Sequence, residues 1–237
     1  MNIIILPPSA FDDTTATIDN AEQLNHVKTV LKASVGDTLK IGKLGDKMGV
    51  GQIAYIDDKI CTLENVRLDT DPPSKLGVTV MLALPRPKVL RRLIMDMTAF
   101  GVHHIILINS IRTDKSYWGS PLLARLDEFV LEGLQQGVDS VPPVITLAKR
   151  FKPFVQDELP SLINDKSALV FHPYADTSFK AFIHQNPLPD MIIIGAEGGF
   201  VPYEIELLAS VGVRAVSLGE RILRTESAVN ATLGRWV

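Results

Sequence analysis

The chain has a single cysteine, Cys61, in 237 residues. No intramolecular disulfide can form, which excludes a disulfide-built secreted scaffold. No apolar stretch approaches the roughly 20 residues that span a bilayer. The first ten residues carry an apolar run only from Ile3 to Leu6, broken by Pro7 and Pro8, with no basic lead-in, which argues against a signal peptide. A soluble, cytoplasmic protein without a membrane partner is the expectation. The usual phosphate cradles are absent too: there is no Gly-x-x-x-x-Gly-Lys-Ser/Thr and no Gly-x-Gly-x-x-Gly after a strand. A Gly-x-Ser-x-Gly nucleophile elbow is missing. The five histidines stand at 26, 103, 104, 172 and 184, none at metal-ligand spacing with Cys61 or with another histidine, so no metal is expected. His103 and His104 are neighbours and would point apart on a strand.

What remains is an ordinary globular composition, 46% hydrophobic and 22% charged, long enough for one large domain or two small ones and for a core without staples. The net charge of −3 hides a pattern. Residues 1–74 hold 7 Lys/Arg against 11 Asp/Glu, residues 75–125 hold 8 against 2, and residues 126–237 hold 9 against 14. A basic middle between acidic flanks is either a polyanion-facing surface or a solvated helix face.

Short apolar runs dominate the first seventy residues: Ile3–Leu6, Thr38–Ile41, Val50–Ile56 and Ile60–Leu63, separated by Gly/Asp turn signals. One helical patch, Ala21 to Ala33, sits among them, with Leu24, Val27, Val30 and Leu31 at helical spacing and Asp19 or Asn20 as N-cap. Many short strands with one helix predict a small β-barrel. The stretch Asp69-Thr-Asp-Pro-Pro-Ser74 reads as a linker. From Val78 the chain alternates. Apolar strands are expected at Val78–Leu84, Ile105–Ile108, Val144–Leu147, Ala168–Phe171, Met191–Ile194 and Ala215–Leu218. Between them fit a helix ending at Gly101, one capped by Ser120 with Pro121 at its first position, and others near 176–185, 202–210 and 226–236. Apolar strands alternating with helices predict a mostly parallel sheet covered on both faces.

The last fifty residues carry the chemistry. Met191–Ile194 runs into Gly195-Ala-Glu-Gly-Gly-Phe200, and Val213–Leu218 runs into Gly219-Glu-Arg-Ile-Leu-Arg224. Ligands of open α/β sheets bind outside the carboxyl ends of strands, and glycines there let the backbone approach a ligand closely. Each string alone is also compatible with a plain tight turn. Thr225 is read as the cap of the closing helix.

Together, Ile194-Gly-Ala-Glu-Gly-Gly-Phe200 and Leu218-Gly-Glu-Arg-Ile-Leu-Arg-Thr-Glu-Ser-Ala228 resemble the paired signature of the RsmE-type family, the 16S ribosomal RNA uridine-N3 methyltransferases of the SPOUT superfamily. His26-Val-Lys-Thr-Val-Leu31 with Val35-Gly-Asp37 is similar to the opening of that family's PUA-like barrel, and Phe171-His-Pro173 resembles its Leu-His-Pro strand end. The resemblance spans nearly the whole chain and is weakest between 85 and 165.

The resemblance implies an α/β protein: a small PUA-like β-barrel over 1–72, with a role in RNA binding, then a SPOUT domain over 73–237 whose mostly parallel sheet ends in a deep trefoil knot. It implies S-adenosylmethionine in the knot, against Phe171, His172 and Pro173, against Gly195, Glu197, Gly198 and Gly199, and against Ser217, Leu218, Gly219, Arg221, Ile222 and Leu223. It further implies a homodimer acting on 16S rRNA or the assembled small ribosomal subunit. Three departures stand out. Ala196 replaces a usual proline, Asp139 follows Gln135-Gln136 where an arginine is expected, and Pro85-Arg-Pro-Lys-Val-Leu-Arg-Arg92 replaces a lysine-rich stretch.

Methylating uridine N3 demands loss of an imide proton, a cation for the charge that spreads to O2 and O4, and in-line alignment. Arg224 is the expected cation, or else it pairs with Glu220 or Glu226. Glu226 is placed to orient Arg224 or the base, or simply to stabilise a helix start. Glu197 is placed to accept from cofactor or uridine, or to brace its loop. No residue is assigned as general base. For RNA, Arg86, Lys88, Arg91, Arg92, Arg112, Lys115 and also Arg125 supply the basic segment. Tyr117 and Trp118 either stack on bases or pack at an interface. Barrel contacts would fall to Lys28, Lys32, Lys43 and Lys47. Two rival readings stay open: a SPOUT enzyme with another RNA target or base atom, and a cofactor-binding RNA module without catalysis.

Overall fold

The computed structural model describes residues 1–237. They form two compact units, Met1–Ser74 with Val130–Pro142, and Lys75–Phe129 with Pro143–Val237.

In the first unit, strands β1 (Ile4–Leu6), β2 (Phe11–Asp12), β3 (Thr15–Ile18), β4 (Thr38–Lys43), β5 (Met48–Ile56) and β6 (Cys61–Thr70) make one curled sheet in the order β1-β4-β5-β6-β3-β2. Only β1–β4 is parallel. The β5–β6 register slips between Met48 and Val50, between Val50 and Gln52, and between Ile53 and Tyr55, and such irregularities bend a strand and raise its twist. The curl wraps a core of Ile4, Leu6, Ile18, Leu24, Val27, Ile41, Ile53 and Leu63. Cys61 lies in that core, and burial pushes its thiol up to about 11, so it is inert as a nucleophile. The hairpin β2–β3 escapes sequence reading because it is short and polar.

Helix α1 (Ala21–Asn25) starts at Asn20, whose side chain accepts the Glu22 and Gln23 N–H groups. The helix then widens over His26–Val30, where the Leu31 N–H reaches back to the His26 carbonyl. That wider turn shifts the helical phase. Leu24 and Val27 are buried as expected, but Val30 and Leu31 are exposed. The lysines of this unit expected to reach RNA are mostly engaged: Lys28 pairs with Asp58, Lys43 with Asp46 and Lys47 with Asp71.

The segment Val130–Pro142 joins this unit through hydrogen bonds that sequence patterning does not show. The Asn2 N–H donates to the Gln135 carbonyl, and the Gly45 N–H to that of Ser140. Buried Gln23 donates to both the Ile5 carbonyl and the Gln135 side chain at 2.9 Å. Asp139 is buried and accepts the Val141 N–H at 2.9 Å, so it braces its own turn.

The second unit holds β7 (Thr79–Ala83), β8 (His104–Ile108), β9 (Val144–Ala148), β10 (Ala168–Phe171), β11 (Met191–Ile194) and β12 (Arg214–Val216), in the order β12-β10-β11-β7-β8-β9. Every pairing is parallel, as the apolar strands predict. Helix α2 (Pro87–Phe100) buries Leu90, Leu93, Ile94 and Met97 and stops at Gly101, whose φ of 84° suits the left-handed closing residue of a helix. Ser120 opens a 3₁₀ turn over Pro121–Arg125 that leads into α3 (Leu126–Gly137). Two short helices, α4 (Phe151–Pro153) and α5 (Leu159–Leu162), flank a widened turn at Phe154–Glu158. They have no counterpart in the sequence reading, although Phe151, Phe154, Val155 and Leu159 are buried at helical spacing. The remaining helices are α6 (Phe179–Gln185), α7 (Pro202–Ser210) and α8 (Thr225–Leu233), and α8 packs on α2. No helix is long and apolar enough to cross a membrane.

The β5–β6 irregularity yields a test. A Cβ on Gly49 would stand 1.8 Å from the Arg67 carbonyl oxygen, a backbone atom that cannot swing aside. Gly49→Ala should therefore destabilise the first unit by at least about 2 kcal/mol, read as a lower midpoint in urea unfolding monitored by circular dichroism.

Candidate active site

Strands β12, β10 and β11 lie side by side and parallel, so their carboxyl ends open on the same edge of the sheet. Three loops leave that edge: Phe171-His172-Pro173 after β10, Gly195 to Phe200 after β11, and Ser217 to Arg224 after β12. With the first turn of α8 they enclose a cavity of about 540 Å³. Its size falls within the ~300–1,000 Å³ of small-molecule sites.

Backbone geometry builds the β11 loop. A Cβ on Gly195 would lie 2.8 Å from the Gly199 Cα, so the loop folds back on itself in a way only glycine permits. Gly199 has a φ of 65° and Gly219 a φ of 109°, and nothing stands within 4 Å of where a Cβ on either would sit. Bare backbone therefore lines the cavity on two of its loops. The walls between are apolar. Phe171 is pinned edge-on to Phe179 with centroids 5.1 Å apart, and Phe200 meets Phe151 at 5.8 Å. Ile194, Leu218, Ile222, Leu223 and Ala228 complete them.

The polar groups divide into anchored and free. Glu197 accepts from the Arg86 backbone N–H at 3.3 Å and from its Nε at 3.2 Å. Glu226 accepts from Arg92 at 3.5 Å. Arg112 drapes its side chain over Gly198 and donates to that residue's carbonyl. Arg224 lines the same cavity with no ion-pair partner, neither Glu220 nor Glu226. A guanidinium is always charged in proteins, so Arg224 presents a fixed, uncompensated positive charge to whatever enters.

Most of the expected residues thus meet in one place. Phe171, His172, Pro173, Gly195, Glu197, Gly198, Gly199, Leu218, Gly219, Arg221, Ile222, Leu223, Arg224 and Glu226 all line the cavity. Ser217 does not. Its N–H donates to the Thr177 carbonyl and its carbonyl accepts from Phe179, so its backbone is spent holding the 177–179 segment behind the wall. Of the basic residues, Arg86 and Arg112 line the cavity, whereas Lys88, Arg91, Arg92 and Lys115 lie outside it. Arg91 lies over the Phe129 ring at 5.7 Å, and Arg92 is engaged with Glu226. Trp118 donates its indole N–H to Asn109 at 2.8 Å, which ties it to its own loop.

Some lining residues were not among the expected site residues. Ile194, Ala196, Phe200, Thr225 and Ala228 lie within the two motif strings, and Tyr174 follows Phe171-His172-Pro173 by one position. Thr225 is the first residue of α8 instead of its cap, and its hydroxyl donates to the Gly195 carbonyl at 3.3 Å, which ties α8 to the glycine loop. Glu204 stands further off and is wholly buried. Its carboxylate accepts the Ile111 N–H at 2.8 Å and the Val201 N–H at 2.9 Å. It therefore closes the first turn of α7 and anchors the loop that carries Arg112. Sequence reading missed it, although a glutamate two residues after Pro202, at the third position of a helix, is a signal that could have found it. No cluster of three or more His, Cys, Asp or Glu side chains fit to hold a metal occurs.

Known proteins are similar to this chain in sequence and fold. Residues 72–237 match the model of a family described as an RNA methyltransferase domain. A curated relative from Treponema pallidum, named ribosomal RNA small subunit methyltransferase E, is 27% identical over 221 residues, covering 87% of this chain and 79% of its own. A Legionella pneumophila structure in complex with the bound cofactor S-adenosylmethionine superposes with a TM-score of 0.79 at 20% identity, covering 99% of this chain and 96% of its own. The ribosomal RNA small subunit methyltransferase E of Neisseria gonorrhoeae, bound to S-adenosylmethionine, gives a TM-score of 0.76 at 18% identity, covering 98% and 96%. The α/β fold with its all-parallel sheet is common to them, and with the family model matching more than two thirds of its length, the chain belongs to the RNA methyltransferase domain family.

Proposed function

We propose that the chain transfers a methyl group from S-adenosylmethionine to N3 of a uridine in 16S rRNA of the small ribosomal subunit. The observation that carries this reading is the cavity where the two glycine loops and the Phe171–Pro173 loop converge with an unpaired arginine, Arg224, on its lining. The relatives' names, as small-subunit ribosomal RNA methyltransferases, support the substrate class.

The cavity suits the cofactor. Apolar walls from Phe171, Ile194, Leu218 and Ala228 fit an adenine ring, and bare backbone at Gly199 and Gly219 allows close approach to its polar parts. Gly195, Gly198, Arg221, Ile222 and Leu223 would hold it together with these. Bound there, S-adenosylmethionine supplies a methyl group already made electrophilic by its sulfonium.

The protein's task lies with the acceptor. Arg224 offers its charge to O2 or O4 of the uracil as the N3 proton leaves, and a preformed cation of this kind needs no reorganisation in the transition state. Glu197 and Glu226 are the carboxylates at the cavity. Arg86 and Arg92 fix their directions, so they orient rather than wander, and either can accept a hydrogen bond from the base or the cofactor. Thr225 and Glu204 keep the glycine loop and the Arg112 loop in register with that arrangement.

On this reading the last segment of the chain threads a trefoil knot. Consistent with it, the chain runs out to β12 at the sheet edge and then returns through Gly219–Arg224 so that α8 packs on α2. The first unit acts as a PUA-like barrel that holds RNA, with the division near residue 72, where the family match begins. The enzyme works as a cytoplasmic homodimer, and exposed Lys88, Arg112 and Lys115 contact RNA phosphates.

Labelled methyl transfer to undermethylated small subunits, followed by nucleoside analysis, should place the label in 3-methyluridine. Label in another nucleoside would retire the base assignment, and none at all would favour a non-catalytic module. Arg224→Ala should lower turnover about a hundredfold or more while S-adenosylmethionine affinity stays within about twofold. Because phosphate contacts release counterions, raising salt from about 50 to about 200 mM should weaken RNA binding at least tenfold. A flat response in a filter-binding titration would remove the basic segment from the interface.

A further inference from the structure

Three six-membered aromatic rings line the cavity, and they are not equivalent. Phe171 and Phe200 are 8% and 4% exposed, and each is locked against a second phenylalanine. They are wall. Tyr174 is 79% exposed. It follows the Phe171-His172-Pro173 loop and meets the His172 ring edge to face, with centroids 5.6 Å apart and planes at 81°, which fixes the direction of its ring without burying it. The loop after β12 brings two more exposed apolar side chains to the same cavity, Ile222 at 71% and Leu223 at 40%. Single exposed apolar residues are ordinary on a protein surface. Three on one cavity, from two adjacent loops, with the neighbouring apolar side chains already packed, form a rim that has something left to cover.

The chemistry of the proposed reaction says what that is. A uridine inside structured RNA cannot offer N3 while it is stacked and paired. The base has to swing out, and the lost stacking has to be replaced on the protein. Single-stranded and extruded bases are held on aromatic faces for this reason. A uracil has two flat faces and a polar edge. The cavity's lining includes one exposed ring, that of Tyr174, for a flat face, and Arg224 for a polar edge.

We propose that Tyr174 is the stacking platform for the extruded uracil, and that it positions the base for transfer without holding the cofactor. This inference rests on the methyltransferase reading. The tyrosine ring, not its hydroxyl, does the positioning.

The test uses the full-length protein, labelled S-adenosylmethionine and undermethylated small ribosomal subunits, with Tyr174→Ala, Tyr174→Leu and Tyr174→Phe compared with the parent. An exposed side chain should leave folding intact in all three, checked by thermal melting. Losing the aromatic face in the alanine and leucine variants should lower kcat/KM for subunits about tenfold or more. The phenylalanine variant should stay within about twofold of the parent, as should the S-adenosylmethionine dissociation constant of every variant. Full activity in the alanine variant, with the parent active, overturns the stacking role and leaves the methyltransferase reading standing. So does activity kept by leucine, which would reduce the ring to apolar cover. Weakened cofactor binding in the alanine variant would reassign Tyr174 to the cofactor. An inactive parent would overturn both readings together.

Discussion

Three parallel strands that lie side by side must all end on the same edge of their sheet, and the cavity of this protein follows from that constraint. β10, β11 and β12 follow one another along the chain but stand in the sheet in the order β12-β10-β11. Their carboxyl ends therefore gather residues 171–174, 195–200 and 217–224 around one volume, although 42 residues of chain lie between the first and the last. The β11 loop can occupy that volume because the backbone at Gly195 passes so close to Gly199 that no side chain fits between them. α8 then closes the cavity from below, with Thr225 bonded to the Gly195 carbonyl. The site is thus a property of the sheet's topology, tightened by one glycine contact.

Electrostatics sort the groups that face this space. Both carboxylates are tethered, Glu197 by Arg86 and Glu226 by Arg92, so part of the basic segment that sequence charge alone assigns to RNA is spent within the site. These are half-exposed pairs, worth little as stability and useful for direction. Glu204 is different. A wholly buried carboxylate is tolerated only when hydrogen bonds replace its water, and here two backbone N–H groups from separate elements do so. The result is a rigid frame for Arg112 and the glycine loop around two arginines without an ion pair, Arg221 and Arg224.

Much of this is legible in the sequence because it is local. Apolar runs of strand length and the glycines that end them mark the sheet and its loops, and two strings, 194–200 and 218–228, supply most of the cavity lining. What escapes is non-local. Nothing in the pattern of residues 130–142 says that Gln135 bonds Gln23, so that segment's place with the first unit is invisible until the backbone is traced. The helical phase of Val30 and Leu31 is lost to a widened turn, which leaves no mark on composition. Ser217 belongs to the same loop but does not line the cavity, and its peptide groups pair with residues 177 and 179. Tyr174 sits one residue past a recognisable motif and shows its character only through exposure.

The central claim is that the folded-back glycine loop shapes the cofactor site, and calorimetric titration of S-adenosylmethionine into the parent and into Gly195→Ala tests it most directly. The added methyl would sit 2.8 Å from the Gly199 Cα and force the loop apart. The account predicts binding by the parent and an affinity at least tenfold weaker, about 1.4 kcal/mol or more, in the variant, with both proteins still cooperatively folded. Equal affinity in the two proteins, or no binding by the parent, would contradict it.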